Sequence, residues 1–178
     1  MKKTIKRIGR IAATVIRVSA TVLLAALLLI NLYRLIAKTI FDTPYPTVCG
    51  YYDAVVVTGS MSGAIEVDDL VITHREADYA VGDIITFQSG GSAVTHRIVA
   101  LEDGGYRTKG DANNAADPGD PVAPEAVIGR VVHIVPHVGA VIRFFSSPFG
   151  MLCLLGGVFL LLEVPALIER RRAKAADN

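Results

Sequence analysis

Residues 84–99, IITFQSGGSAVTHRIV, hold two short β-branched runs separated by Gly90-Gly91. Val, Ile, Thr and Phe suit a pleated, half-buried surface, and paired glycines between such runs mark a turn. The second run alternates, so Val94, His96 and Ile98 share one face. Runs of the same kind stand on either side, at residues 54–58, 70–73, 127–135 and 138–142. Gly82-Asp83, Asp103-Gly104-Gly105 and Gly110-Asp111 punctuate them. This pattern predicts a mainly β region, built as an antiparallel sheet or small barrel. No stretch between residues 43 and 140 sustains the helical apolar period. Residues 111–120, DANNAADPGD, are rich in turn formers and too polar for a buried strand, so they predict a loop.

Outside this region the pattern changes. Residues 18–33, VSATVLLAALLLINLY, carry no charge, and continued to residue 37 the run approaches the ~20 residues that a bilayer core requires. A second uncharged run, FFSSPFGMLCLLGGVFLLL, fills residues 144–162. Both predict transmembrane helices. A cleaved signal peptide is the competing reading of the first run, but its basic leader is long and no small-x-small cleavage site follows it. Glu163 is costly inside a membrane, which predicts a place at the interface within reach of Arg170, Arg171 and Arg172.

The formal charge of the 178-residue chain is only +1, yet it is sharply segregated. Lys2, Lys3, Lys6, Arg7, Arg10 and Arg17 precede the first apolar run, and Arg170, Arg171, Arg172 and Lys174 follow the second. Basic residues accumulate on cytoplasmic flanks, so both termini are expected inside and the middle outside. The expected layout is a basic tail at 1–17, a transmembrane helix at 18–37, an extracytoplasmic β domain at 43–143, a second transmembrane helix at 144–168 and a basic tail at 169–178. Between Thr43 and Pro148 there are 6 basic and 13 acidic residues, a net of −7. Nucleic-acid binding needs a basic surface to neutralise phosphates, so that class is set aside. Two cysteines far apart make neither a disulfide framework nor a zinc motif.

Three places combine reactive side chains with structural punctuation. Gly59-Ser60-Met61 follows the apolar Val55-Val56-Val57-Thr58, which places a serine where a backbone can approach a substrate. His96 interrupts the alternating Val94-Thr95-His96-Arg97-Ile98-Val99. Thr108-Lys109-Gly110-Asp111 leads into Asn113, Asn114 and Asp117. Taken singly, these read as a turn serine, a hydrogen-bonded core histidine and Asx turns.

In this order they resemble type I signal peptidases of the Ser-His-Asp branch, found in archaea, in the endoplasmic reticulum and as W-type enzymes of Gram-positive bacteria. The matching segments are VVVTGSM, DLVI with VGDIITF, VTHRIV, RTKGDANNAADP and VIGRVV, from about residue 55 to 132. The resemblance implies a signal-peptidase-like β fold and a membrane-bound serine endopeptidase. Such an enzyme cleaves signal peptides from secreted preproteins whose signal sequences end in small residues. It further implies Ser60 as nucleophile and His96 as base, with Asp117 orienting the imidazole and Asp111 in support. The Ser60 main-chain N–H and the Thr58 hydroxyl would serve the oxyanion. Neither metal nor cofactor is implied. The implied partners are preproteins and the lipid bilayer, and the W-type layout favours a plasma membrane. One departure stands out: the family has proline two residues after the methionine, where this chain has Gly63.

Rival chemistries fit less well. His133 and His137 are four apart but sit in a β-like run with Pro136 and no H-E-x-x-H. Cys49 precedes the first β-branched run and Cys153 lies in the second apolar run, both outside the matching segments. The alternative from another class is a catalytically silent β domain displayed at a membrane as a binding or assembly module.

Overall fold

The computed structural model describes residues 2–176; side chains near both ends, including those of Arg170, Arg171 and Arg172, lie outside the described residues, and so does their expected proximity to Glu163. The chain divides into two compact units. One covers Ala37–Arg143, and the other joins the residues up to Ile36 to those from Phe144 onward.

The middle unit is built on six strands: β1 (Tyr51–Val55), β2 (Leu70–His74), β3 (Ile84–Ser89), β4 (Ser92–Glu102), β5 (Gly105–Lys109) and β6 (Val127–Val135). They form one antiparallel sheet in the order β1-β2-β6-β3-β4-β5. The β3–β4 hairpin turns through Gly90 and Gly91 and pairs Ile85 with His96 and Thr86 with Thr95. Neighbouring residues on β3 point to opposite faces, and both faces are covered. Ile85 and Phe87 join Tyr79, Ile98 and Val127 in one core cluster. Ile84 packs on a second cluster of Met61, Ile65 and Val71. Each fully buried aliphatic side chain of this kind stabilises the fold by about 1.5–3 kcal/mol.

The strand at 138–142 is a correction. Residues 139–142 open α2 (Gly139–Ser146) instead, and Val138 directly precedes it. His137 turns the chain at φ 59°, and the Gly139 N–H then donates to the Asp68 carbonyl at 2.8 Å. Ile142 N–H reaches Val138 O at 3.0 Å, and Arg143 pairs with Asp68 at 2.6 Å. Tertiary contacts here override the β preference of Val138, Val141 and Ile142. Strand β5 was not expected, because five residues reading GYRTK carry no apolar alternation. The run at 54–58 is also displaced: the sheet keeps Tyr51–Val55, and Val57 is exposed.

In the other unit, α1 (Lys2–Thr39) and α3 (Pro148–Ala176) are each long and apolar enough to cross a membrane. Helix α1 already begins within the basic leader. The second apolar run is not one helix from residue 144, because Ser147 divides α2 from α3. Gly150 N–H donates to Ser147 Oγ at 3.1 Å, and Pro148 takes the first helical position. Serine cap followed by proline is a strong helix start. The described residues therefore mix α and β, with a six-stranded antiparallel sheet, three α-helices and a short 3-10 turn at Pro124–Ala126.

Candidate active site

After Val55 the chain leaves the sheet without coming loose. Val56 exchanges main-chain hydrogen bonds with Asp68 and Asp69, at 3.0 and 2.9 Å. The chain then turns tightly, with Ser62 N–H reaching Gly59 O at 3.1 Å and Ile65 N–H reaching Met61 O at 2.9 Å. Met61 and Ile65 are buried in the second core cluster, so Ser60 rides on a turn anchored from below.

Gly63 gives this turn its shape. It sits at φ +97°, and its N–H donates to Glu66 Oε1 at 2.7 Å. Proline, fixed near −65° and lacking an N–H, satisfies neither condition. Position 63 therefore holds a turn with a hydrogen bond of its own, one that proline could not make.

His96 lies on β4 beside Ile98, as the alternation predicted, and is buried. The Phe87 ring lies edge-on to the imidazole, with centroids 6.3 Å apart. Asp117 comes from the 111–120 loop, which Thr108 and Arg107 of β5 hold down. Asp117 N–H donates to Thr108 O at 2.8 Å, and Arg107 Nη1 donates to the carbonyls of Asp117 and Gly119 at 3.2 and 2.7 Å.

The loop is joined to the serine turn through its first residues. Ala112 N–H donates to Ser60 O at 2.9 Å, and Asp111 N–H to Met61 Sδ at 3.4 Å. This approach needs glycine at position 110, where a Cβ would stand 2.6 Å from Ser60 O and 2.7 Å from Asn113 Nδ2.

These supports bring together three side chains that are remote in sequence. Ser60 Oγ is 3.0 Å from His96 Nε2, and His96 Nδ1 is 2.6 Å from Asp117 Oδ2. With the carboxylate as acceptor, Nδ1 carries the hydrogen and Nε2 presents its lone pair to the serine hydroxyl. Thr58 Oγ1 lies 3.5 Å from Ser60 Oγ. Asp111 is engaged elsewhere: Arg97 Nε and Nη2 donate to its two carboxylate oxygens at 2.9 and 2.6 Å, and Arg97 Nη1 donates to Gly82 O at 2.8 Å. The Arg97 hydrogen bonds hold the Asp111 carboxyl below the usual carboxylate range against the opposing effect of burial, with the charges of Arg97 and Lys109 adding to the lowering. The guanidinium is raised in turn, chiefly by the hydrogen bond to Asp111.

A cavity of about 540 Å³ opens beside Ser60 and His96. Its walls are mostly apolar and come from two segments, residues 54–58 with Met61, Ile65 and Val71 on one side and residues 92–96 on the other. No group of three or more His, Cys, Asp or Glu that could hold a metal ion occurs among the described residues. Cys49 and Cys153 are exposed and free.

The site residues that sequence reasoning missed are the supports. Thr108 also donates its hydroxyl to Asp117 Oδ2 at 2.7 Å, and Arg107 is braced by Glu102 at 2.8 and 2.7 Å. The visible signal was that both residues fall inside the R-T-K-G-D segment, next to the glycine and aspartate. No family model matches the chain, and no curated protein matches it.

Proposed function

We propose that this chain is a membrane-anchored serine endopeptidase of the signal-peptidase type. The observation that carries the reading is the unbroken hydrogen-bonded row from Ser60 Oγ through both nitrogens of His96 to Asp117 Oδ2. A serine hydroxyl is a weak nucleophile until an adjacent base takes its proton, and this row supplies the base and a group to orient it.

In the proposed reaction, Ser60 Oγ attacks the carbonyl carbon of the scissile peptide bond while His96 Nε2 takes the hydroxyl proton. Asp117 stabilises the resulting imidazolium. The oxyanion is met by the Ser60 main-chain N–H and by the Thr58 hydroxyl. Collapse of the tetrahedral intermediate breaks the C–N bond, and Nε2 returns the proton to the leaving amine. Water then repeats the sequence on the acyl-serine, releasing the new carboxylate. The apolar cavity flanked by residues 54–58 and 92–96 suits an extended, uncharged segment, as the end of a signal peptide is. Asp111, paired with Arg97, acts on the shape of the loop.

The substrates are secreted preproteins, and the site faces outward at the plasma membrane with both termini cytoplasmic. Anchoring by α1 and α3 keeps the site beside substrates still held in the bilayer, which raises their effective concentration without new contacts. Co-expression with a panel of preproteins tests this reading: the intact chain shortens some of them, and the Ser60→Ala chain shortens none. Identical processing by both would discard it. The alternative, a catalytically silent display module, predicts that the intact chain and the Ser60→Ala chain leave every preprotein at the same length.

A further inference from the structure

Asp117 Oδ2 receives two hydrogen bonds, one from His96 Nδ1 at 2.6 Å and one from Thr108 Oγ1 at 2.7 Å. Thr108 is almost fully buried at 1% exposure and faces Ile98 across the β4–β5 ladder. Its main chain binds the same aspartate, since its carbonyl accepts the Asp117 N–H at 2.8 Å. The aspartate is thus fixed at two points by one buried residue of a regular strand. A carboxylate on a loop otherwise rotates about two side-chain torsions, and a rotation that lifts Oδ2 off Nδ1 frees the imidazole to tilt. The second cavity, about 280 Å³, lies along this side of Asp117 and leaves room for that movement. Its lining includes Arg107, Thr108, Asp117 and Asp120.

We infer that Thr108 is a positioning residue for the serine hydrolase reaction: its hydroxyl locks Asp117 Oδ2 against His96 Nδ1 and so keeps Nε2 aimed at Ser60. The inference rests on the function proposed above. Thr108 touches no reacting atom, and its effect passes through Asp117 to the imidazole. Removing the hydroxyl therefore lowers kcat and leaves KM in place, because the cavity wall beside Ser60 is unchanged. A misplacement on this scale costs on the order of tenfold to a hundredfold in rate.

The test uses the full-length chain in detergent micelles and a preprotein reporter whose signal sequence ends Ala-x-Ala, comparing wild type with Thr108→Val, Thr108→Ala, Thr108→Ser and Ser60→Ala. The low-field proton resonance of His96 Nδ1 gives a readout independent of cleavage. Thr108→Val places a methyl group against a carboxylate oxygen. Thr108→Ala removes the donor without that crowding, and it decides the matter if the valine variant does not fold. The expected result is a kcat loss of tenfold or more with KM within twofold for the valine and alanine variants. Their Nδ1 resonance shifts or broadens, and the serine variant restores both readouts. Wild-type kcat and an unmoved resonance in Thr108→Ala, with Ser60→Ala silent, overturn the role of Thr108 and leave the nucleophile standing. An active Ser60→Ala chain overturns both.

Discussion

A Cβ placed on Gly110 would stand 2.6 Å from the main-chain oxygen of Ser60. That oxygen also accepts the Ala112 N–H at 2.9 Å, so the loop bearing the acid and the turn bearing the serine meet backbone to backbone. Gly110→Ala must push the two apart. It is expected to cost about 1–3 kcal/mol, the range for overpacking a tight contact, and to reduce cleavage more than its loss of stability explains. Thermal unfolding alongside cleavage at a temperature where both proteins are folded measures the two effects. An alanine variant with wild-type Tm and rate contradicts the contact.

The turn after Ser60 makes a second prediction. Gly63 at φ +97° donates to Glu66, so Gly63→Pro loses both the conformation and the bond. Gly63→Ala is expected to cost roughly 1–3 kcal/mol for its left-handed backbone, and Gly63→Pro more than that, because it also removes the donor. Denaturant unfolding ranks the two variants. A proline chain more stable than wild type contradicts the turn described here.

Asp111 gives a pH dependence whose sign follows from its pairing. Arg97 lowers its folded pKa below the unfolded value. The pairing therefore stabilises the fold fully above the unfolded carboxylate value of about 3.9, and this contribution is lost as the pH falls through the lower folded value. The pair is partly exposed, with 34% and 25% of the Arg97 and Asp111 side-chain surfaces accessible, so screening keeps its worth to about 1 kcal/mol or less. Wild type is expected to exceed Asp111→Asn in stability at neutral pH and to converge with it in acid. A gap that widens in acid has the wrong sign for this pair.

Much of this was legible in the residues, but not evenly. The β3–β4 hairpin could be read because Ile84, Ile85 and Phe87 are β-branched or aromatic and two glycines mark the turn. The face shared by His96 and Ile98 followed from alternation alone. The meeting of the Ser60 turn with the 111–120 loop had no local signal, since it depends on Gly110 admitting a backbone and on Met61 anchoring a turn. β5 was hidden for a different reason: Arg107 and Thr108 spend their side chains on the 111–120 loop rather than on an apolar face. Val138, Val141 and Ile142 misled because β-branched residues also fill short helices when a neighbouring contact, here Gly139 on Asp68, sets the chain direction.

The membrane arrangement is tested by labelling. In a chain carrying Cys49→Ser and Cys153→Ser, a cysteine at Asn114 is expected to react with an impermeant thiol reagent added to intact cells, and a cysteine at Arg172 only after permeabilisation. The opposite pattern reverses the orientation.

The measurement that bears most directly on the account is the double-mutant comparison of Ser60→Ala and His96→Ala on preprotein cleavage. Groups that act as one catalytic unit lose their effect together, so each single variant should fall by about 10⁴-fold or more, and the double variant no further. Losses that multiply in the double variant, or a Ser60→Ala chain cleaving within tenfold of wild type, would contradict a serine activated by that imidazole.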